Sequence, residues 1–244
     1  MRTAVAMLLI CALLVGTSHA ADAPATTQAT TKPIKIVLVG DSTVTDKAGW
    51  GIGFAELLAA DVTCVNVSAG GRSSKSYRNE GLWDKAMAEK GDYVLIQFGH
   101  NDQPGKGPER ETDPETEFRA NMKRYVEEAR AAGAKPVLVT SLTRRNFNPD
   151  GKIRRSLDAY VKVTKEVAAE TKAPLIDLHD RSVALCEKLG PEKCAAFDPP
   201  PQKDGRPDVT HLNVAGSRAF GALVAEDLAR VAPELASHIK AAKQ

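Results

Sequence analysis

Short runs of consecutive apolar residues alternate along the chain with longer stretches in which apolar residues recur at helical spacing. The apolar runs lie at 36–39, 63–67, 93–98, 136–140 and 174–177. A run without polar alternation is typical of a strand buried on both faces of a parallel sheet. The helical patterns cover 54–60, 82–90, 114–132, 153–171, 178–189 and 213–231. This order predicts right-handed βαβ crossovers and one α/β domain whose sheet is covered on both faces.

The first apolar run ends at a group of small polar residues. Gly40, Asp41 and Ser42 follow Val39 directly, which places Ser42 at the carboxyl end of a predicted strand. In open parallel sheets ligands bind at that edge, because the chain turns there into a helix whose free N–H groups face the crevice. The same residues also suit an ordinary βα turn, with glycine for geometry and a polar cap.

Two further predicted strands end in similar groups. Gly70 and Gly71 follow the second strand, and the sequence Gly-His-Asn-Asp at 99–102 follows the third. A glycine N–H can be approached by a reacting oxygen because no side chain stands in the way, although glycine is also a common turn residue. The Asn101 amide is a second candidate donor, and its alternative role is to cap the turn. All of these groups are expected at one edge of the sheet.

Asp208 and His211 stand three positions apart in the loop before the last predicted helix. Ester hydrolysis by a serine needs a base that takes its proton and a group that orients the base. This spacing can place both side chains on one side of the turn, with Asp208 holding His211 in the required tautomer. Taken singly, a capping aspartate and an exposed histidine also explain them. Together with Ser42, Gly71 and Asn101 they predict an acyl-transfer site.

These four groups resemble, in order, the four sequence blocks of the SGNH (GDSL-type) hydrolases. The resemblance implies a three-layer α/β/α sandwich with a five-stranded parallel sheet, related to flavodoxin-like folds. It implies that Ser42 is the nucleophile, His211 the base and Asp208 its partner. It further implies an oxyanion hole made by the N–H groups of Ser42 and Gly71 and the Asn101 amide. Because the glycines are adjacent, Gly70 is the alternative to Gly71, and Thr43 replaces the leucine of the family name.

A narrower set of residues is similar to the rhamnogalacturonan acetylesterase branch of that family. The set comprises Gly-Asp-Ser-Thr at 40–43, the turn at 49–51, Asn66, Gly71-Arg72-Ser73, Ser76-Tyr77, Glu80-Gly81 and 98–102. The resemblance implies removal of acetyl groups from a pectic polysaccharide. We expect the reaction to proceed through an acyl-enzyme without a cofactor, and we expect the protein to be a monomer. The alternatives are a lipase or thioesterase of the same superfamily, a xylan acetylesterase, and a non-catalytic carbohydrate-binding protein.

Candidate substrate contacts come from basic and aromatic residues in loops near the same edge. The primary candidates are Trp50, Arg72, Tyr77 and His100. The wider set adds Trp83 for stacking on sugar rings, and Lys75, Arg78, Arg144, Arg145, Lys203 and Arg206 for the carboxylate of galacturonate. Charged loop residues are also commonly just solvated, so this set is a hypothesis about recognition.

The first residues predict export. Residues 1–20 combine Arg2, an apolar run at 4–15 and the small-residue ending at Ala20. This pattern is typical of a secretory signal peptide, and its apolar run is too short to span a bilayer. Residues 21–33 predict a flexible leader, which leaves 34–244 as one hydrolase domain. The mature protein is expected to be secreted or periplasmic, with no membrane anchor.

Charge and cysteine content narrow the possible partners, disulfides and metal sites of the protein. Without Arg2 the chain has 32 basic and 31 acidic residues, and no block of charge favours nucleic acid or an anionic membrane as a partner. Cys186 and Cys194 are eight residues apart and suit a disulfide loop, or they are two unrelated thiols. Cys64 is expected to be a buried free thiol. No second Cys/His cluster has ligand spacing, so no metal site is expected.

Overall fold

The core of the molecule is a sheet of five parallel strands. The computed structural model describes residues 33–241, and its strands are β1 (Ile34–Gly40), β2 (Val62–Asn66), β3 (Tyr93–Gln97), β4 (Lys135–Val139) and β5 (Leu175–Ile176). They are ordered β2-β1-β3-β4-β5, and each neighbouring pair is parallel. The predicted five-stranded α/β fold is confirmed.

Helices connect the strands. They are α1 (Gly51–Ala55), α2 (Ser76–Asn79), α3 (Leu82–Ala88), α4 (Arg119–Ala131), α5 (Asp158–Thr171), α6 (Leu178–Cys194) and α7 (Val214–Val231). A π-helical turn at Pro114–Phe118 leads into α4, and short 3-10 helices occupy Ala195–Phe197 and Pro233–His238. Within this described part, no helix is long and apolar enough to cross a membrane.

Alternate residues of β1 face the two sides of the sheet, as strand geometry requires. Ile36 and Leu38 pack with side chains of α1, α6 and α7, whereas Val37 and Val39 pack with side chains of α3, α4 and α5. All four are buried, and burying each such side chain contributes about 1.5–3 kcal/mol. A helical layer therefore lies on each face, which explains why the strand is apolar at consecutive positions.

Some helix boundaries differ from those predicted by periodicity. Helix α5 begins at Asp158 rather than at 153, because Ile153 forms an isolated antiparallel bridge with Phe147 in the preceding loop. Helix α6 continues beyond the predicted end at 189, but Gly190 breaks its geometry with φ 76° and ψ 167°. The helical turn at 114–118 is π-helical, and the 3-10 helix at 233–238 was not predicted.

The cysteines do not form the predicted disulfide. Cys186 and Cys194 are buried free thiols, and both belong to the apolar cluster beneath α6 and α7. A thiol there packs as a small apolar side chain. Cys64 is a free thiol as predicted, but it is only partly buried, and that burial raises its pKa to about 12.

Two predicted segments at the amino terminus lie outside the described residues. These are the signal peptide at 1–20 and, apart from Pro33, the leader at 21–33. The described chain from Pro33 onward forms one compact unit.

Candidate active site

Ser42 lies in the turn that leaves the carboxyl end of β1. The Asp41 carboxylate shapes this turn, because its Oδ1 accepts hydrogen bonds from the Thr43 N–H at 2.8 Å and from Thr43 Oγ1 at 2.7 Å. Such side-chain to backbone bonds two residues apart are typical of aspartate in tight turns. Asp41 and Thr43 are buried, whereas Ser42 between them is partly exposed. The turn therefore presents the serine hydroxyl at the edge of the sheet.

A chain of buried hydrogen bonds supports this turn from below. Trp50 Nε1 donates to Gln97 Oε1 at 2.9 Å, and Gln97 Nε2 donates to Thr43 Oγ1 at 2.6 Å. Buried polar networks whose members are satisfied rigidify the structure around them. The predicted role of Trp50 as a substrate contact is wrong, because its side chain is fully buried. Its indole instead helps to hold the serine turn in place.

The structure brings Asp208, His211 and Ser42 together, although Ser42 and His211 are 169 residues apart. His211 Nδ1 lies 2.7 Å from Asp208 Oδ2, and His211 Nε2 lies 2.9 Å from Ser42 Oγ. An ionised carboxylate can only accept hydrogen bonds, so Nδ1 carries the ring proton and Nε2 is free to accept the serine proton. This is the geometry that general-base activation of a serine requires.

Asp208 is held in its ionised form. Partial burial by itself raises its pKa, but hydrogen bonds from the His211 amide and ring and from the Thr210 amide outweigh this and keep the pKa below its ordinary value. The two backbone N–H groups donate to Asp208 Oδ1 at 3.0 Å. The carboxylate therefore both shapes the loop and faces the imidazole with a full negative charge.

Arg145, in the loop after β4, fixes the loop that carries Asp208 and His211. Its backbone N–H donates to Val209 O at 2.8 Å, and its guanidinium donates to the carbonyl oxygens of Asp208, at 3.3 Å, and of His211. Nε pairs with Asp198 Oδ1 at 2.5 Å, and the side chain is only 1% exposed. Sequence reasoning grouped Arg145 with possible substrate contacts, and its burial corrects that assignment.

Free backbone donors lie beside the serine. The N–H groups of Ser42, Gly70 and Gly71 have no acceptor within residues 33–241. A Cβ on Gly70 would lie 3.6 Å from Ser42 Cβ, so this segment passes next to the nucleophile. Gly71 has φ 78°, which a glycine adopts without strain. Asn101 Nδ2 donates to Arg72 O at 3.1 Å, and this bond orients the amide while leaving its second N–H available.

Comparison with known proteins identifies the family of this chain. The model of the GDSL-like Lipase/Acylhydrolase family matches residues 38–219. The chain belongs to this family. The predicted relation of this GDSL-like hydrolase to the SGNH hydrolases is therefore confirmed. The predicted enzyme class, a serine esterase, is confirmed as well.

Curated relatives extend over most of the hydrolase. The rhamnogalacturonan acetylesterase RhgT of Bacillus subtilis is 38% identical over 225 residues, which cover 85% of this chain and 95% of that protein. The probable rhamnogalacturonan acetylesterase YesY of the same organism is 33% identical over 201 residues, 79% of this chain and 91% of its own length.

Solved structures share the fold. The crystal structure of YxiM from B. subtilis superposes with a TM-score of 0.69 at 30% identity, covering 81% of this chain and 56% of that chain. A variant of the acetyl xylan esterase Axe2 from Geobacillus stearothermophilus gives 0.60 at 20% identity, covering 80% of this chain and 94% of its own. At 20% identity, the similarity to Axe2 shows a shared fold only.

Two other predicted substrate contacts of the hydrolase are inaccessible. Tyr77 is fully buried and its hydroxyl donates to Val67 O at 2.8 Å, so its ring cannot stack on a sugar. His100 is 3% exposed and lies under the serine turn, with Nδ1 3.4 Å from Asp41 Oδ2. Burial lowers the pKa of His100, although the Asp41 charge acts in the opposite direction. Trp83, from the wider set, is also buried.

Arg72 differs from the buried candidates because it stays at the surface beside Gly71. Its side chain is 41% exposed, pairs with Glu80 at 2.9 Å and donates from Nη1 to Gly70 O at 2.8 Å. It therefore remains a candidate substrate contact. Within the described chain, no group of three or more His, Cys, Asp or Glu residues could hold a metal ion.

Proposed function

We propose that this esterase removes O-acetyl groups from a pectic polysaccharide, rhamnogalacturonan, through an acyl-enzyme formed on Ser42. The observation that carries the proposal is the continuous line of contacts from Asp208 Oδ2 through His211 to Ser42 Oγ, at 2.7 and 2.9 Å. The substrate is supported by the two relatives at 38% and 33% identity, which are a rhamnogalacturonan acetylesterase and a probable rhamnogalacturonan acetylesterase. A carbohydrate-binding protein without activity would have no need of this proton relay.

In the first half of the proposed reaction, Ser42 Oγ attacks the acetyl carbonyl while His211 Nε2 takes the hydroxyl proton. The ionised Asp208 stabilises the imidazolium that forms. When the tetrahedral intermediate collapses, His211 gives the proton to the sugar oxygen, and the deacetylated sugar leaves. In the second half, His211 activates a water molecule that attacks acetyl-Ser42, and acetate and free Ser42 are released.

The negative oxygen of the tetrahedral intermediate needs donors that are already in position. We assign this role to the N–H groups of Ser42 and Gly71 and to the free N–H of Asn101. Two observations support this assignment. Both backbone N–H groups lack an acceptor in the described structure, and the hydrogen bond to Arg72 O already orients the Asn101 amide. One such donor is typically worth about 10²–10³ in kcat.

The proposed setting is outside the cytoplasm, since residues 1–20 predict a signal peptide. Mass spectrometry of the protein recovered from periplasm and culture medium tests this expectation. The expected amino terminus is Ala21, and a mature protein that retains Met1 would contradict export by cleavage.

Acetate release from acetylated rhamnogalacturonan, xylan and chitin fragments tests the proposed substrate. The highest kcat/KM is expected on rhamnogalacturonan. Ser42→Ala, which removes one oxygen atom, is the matched control and is expected to lose about three orders of magnitude or more in kcat. Faster release from xylan, or faster hydrolysis of an octanoate than of an acetate ester, would favour one of the other hydrolase classes. A Ser42→Ala variant with near-normal rates would remove Ser42 from the reaction.

A further inference from the structure

Arg144 precedes the buried Arg145 but contacts a different part of the catalytic edge. Its Nη2 lies 3.5 Å from the carbonyl oxygen of His100, and its Nη1 donates to Ser156 Oγ at 3.0 Å. His100 directly precedes Asn101, the side chain assigned to the oxyanion. The guanidinium therefore lies close to the position that an acetylated sugar must occupy.

This guanidinium has no carboxylate partner within residues 33–241, although other arginines near the edge do. Arg145 pairs with Asp198 and Arg72 pairs with Glu80. Arg144 has five N–H donors, and the described structure supplies acceptors for only two of them. Since no intramolecular anion occupies the others, they are available to an anion that comes from outside.

Arg144 is partly buried, which makes its lack of an ion pair significant. Burial lowers its pKa, with the Asp41 charge acting in the opposite direction, yet an arginine stays protonated at neutral pH. The Asp41 carboxylate itself is buried beneath the serine turn and bonded to Thr43. A partly desolvated cation without a partner favours an anionic ligand more strongly than a fully solvated one.

We propose that Arg144 binds the carboxylate of a uronic acid residue, on the acetylated sugar or next to it, and so selects acidic over neutral polysaccharides. The inference rests on the proposed function, since it assumes that an acetylated sugar is presented to Ser42. A planar guanidinium matches a carboxylate through two parallel hydrogen bonds, which a neutral sugar cannot replace. This subsite distinguishes an acetylated pectic chain from an acetylated xylan.

The experiment compares one acetylated rhamnogalacturonan oligosaccharide in two forms, with free galacturonate carboxylates and with methyl-esterified carboxylates. The measured quantity is the ratio of kcat/KM for the free form to kcat/KM for the ester. We expect the wild-type ratio to be about 10 or more, as a charge-assisted pair of hydrogen bonds gives. Arg144→Gln is expected to bring the ratio close to one, and Arg144→Lys, which keeps the charge without the fork, to an intermediate value.

Arg130→Gln is the matched control. Arg130 is exposed in the last turn of α4, just before the amino-terminal end of β4 and so at the opposite edge of the sheet. This variant loses the same charge and is expected to keep the wild-type ratio. Because each ratio is taken within one preparation, a partial loss of folded enzyme cancels.

Two results would overturn the inference while the proposed function stands. They are a wild-type ratio near one with both substrates deacetylated, and an Arg144→Gln variant that retains the wild-type ratio. Failure of the wild type to release acetate from either form would overturn the proposed function, and the inference with it.

Discussion

Asn101 is the one proposed oxyanion donor that belongs to a side chain, so substitution can remove it without altering the backbone. Asn101→Ala is expected to lower kcat on a chromogenic acetate ester about a hundredfold with little change in KM, because the donor acts on charge that develops in the transition state. Asn79→Ala, which removes an exposed amide at the end of α2, is the control and is expected to keep wild-type kcat. An Asn101→Ala variant with unchanged kcat would contradict the assignment.

At the scale of single residues, the sequence predicted which side chains of the triad would meet. Ser42, Asp208 and His211 were identified from a serine, a carboxylate and an imidazole at element ends together with the resemblance to the four SGNH sequence blocks. Trp50 and Tyr77 were assigned wrongly, because a position near a strand end does not show whether a ring faces solvent or core. The Trp50–Gln97 hydrogen bond depends on contacts between distant segments, and no local pattern reports it.

At the scale of elements, the loop before α7 depends on its neighbour after β4. The Arg145 guanidinium holds this loop in place by donating hydrogen bonds to the carbonyl oxygens of Asp208 and His211. It also forms a buried ion pair with Asp198. Arg145→Met is expected to lower the free energy of unfolding by about 3–5 kcal/mol, because it leaves a largely buried carboxylate unpaired. It is also expected to lower kcat per folded molecule about tenfold or more through misplacement of His211. Urea unfolding and active-site titration measure the two effects.

The double variant Arg145→Met/Asp198→Asn separates positioning from stability. Removal of both charges is expected to recover part of the lost free energy of unfolding, since no unpaired carboxylate remains. The kcat is expected to stay low, because the hydrogen bonds to the carbonyl oxygens of Asp208 and His211 are still missing. If kcat returned together with stability, Arg145 would be a structural residue without a positioning role.

The strands were the most predictable elements, and loops near the site were the least. Each strand lies within about two residues of an apolar run, because both faces of a parallel sheet are buried and leave no polar alternation. The start of α5 was predicted too early because Ile153 fits helical spacing while its backbone bridges to Phe147. Asp198, the partner of Arg145, lies in a proline-rich stretch with no periodicity to interpret.

At the scale of the whole molecule, a buried carboxyl connects two of the loops at the catalytic edge. Asp102 accepts hydrogen bonds from Ser74 Oγ at 2.6 Å, from the Ser74 N–H at 3.1 Å and from Thr112 Oγ1 at 3.0 Å. Burial raises the pKa of Asp102 to about 7, although these hydrogen bonds act in the opposite direction. The folded protein therefore holds this proton more tightly than the unfolded chain does.

The resulting pH dependence of stability has a definite sign. The contribution of Asp102 is fully present below its unfolded pKa of about 3.9 and is lost as pH rises through its folded pKa. Relative to Asp102→Asn, which is neutral at every pH, wild-type stability is expected to fall by about 4 kcal/mol between about pH 4 and about pH 7.5. Urea unfolding of both proteins across this range measures the difference, and a difference that does not change with pH would contradict the raised pKa.

The proposed reaction depends most on the activation of Ser42 as the nucleophile by His211. Reaction with a fluorophosphonate followed by peptide mass spectrometry measures this directly. We expect one adduct, on Ser42 of the wild-type protein, and labelling slowed by at least about two orders of magnitude in His211→Ala. An adduct on another residue, or undiminished labelling of His211→Ala, would contradict the claim.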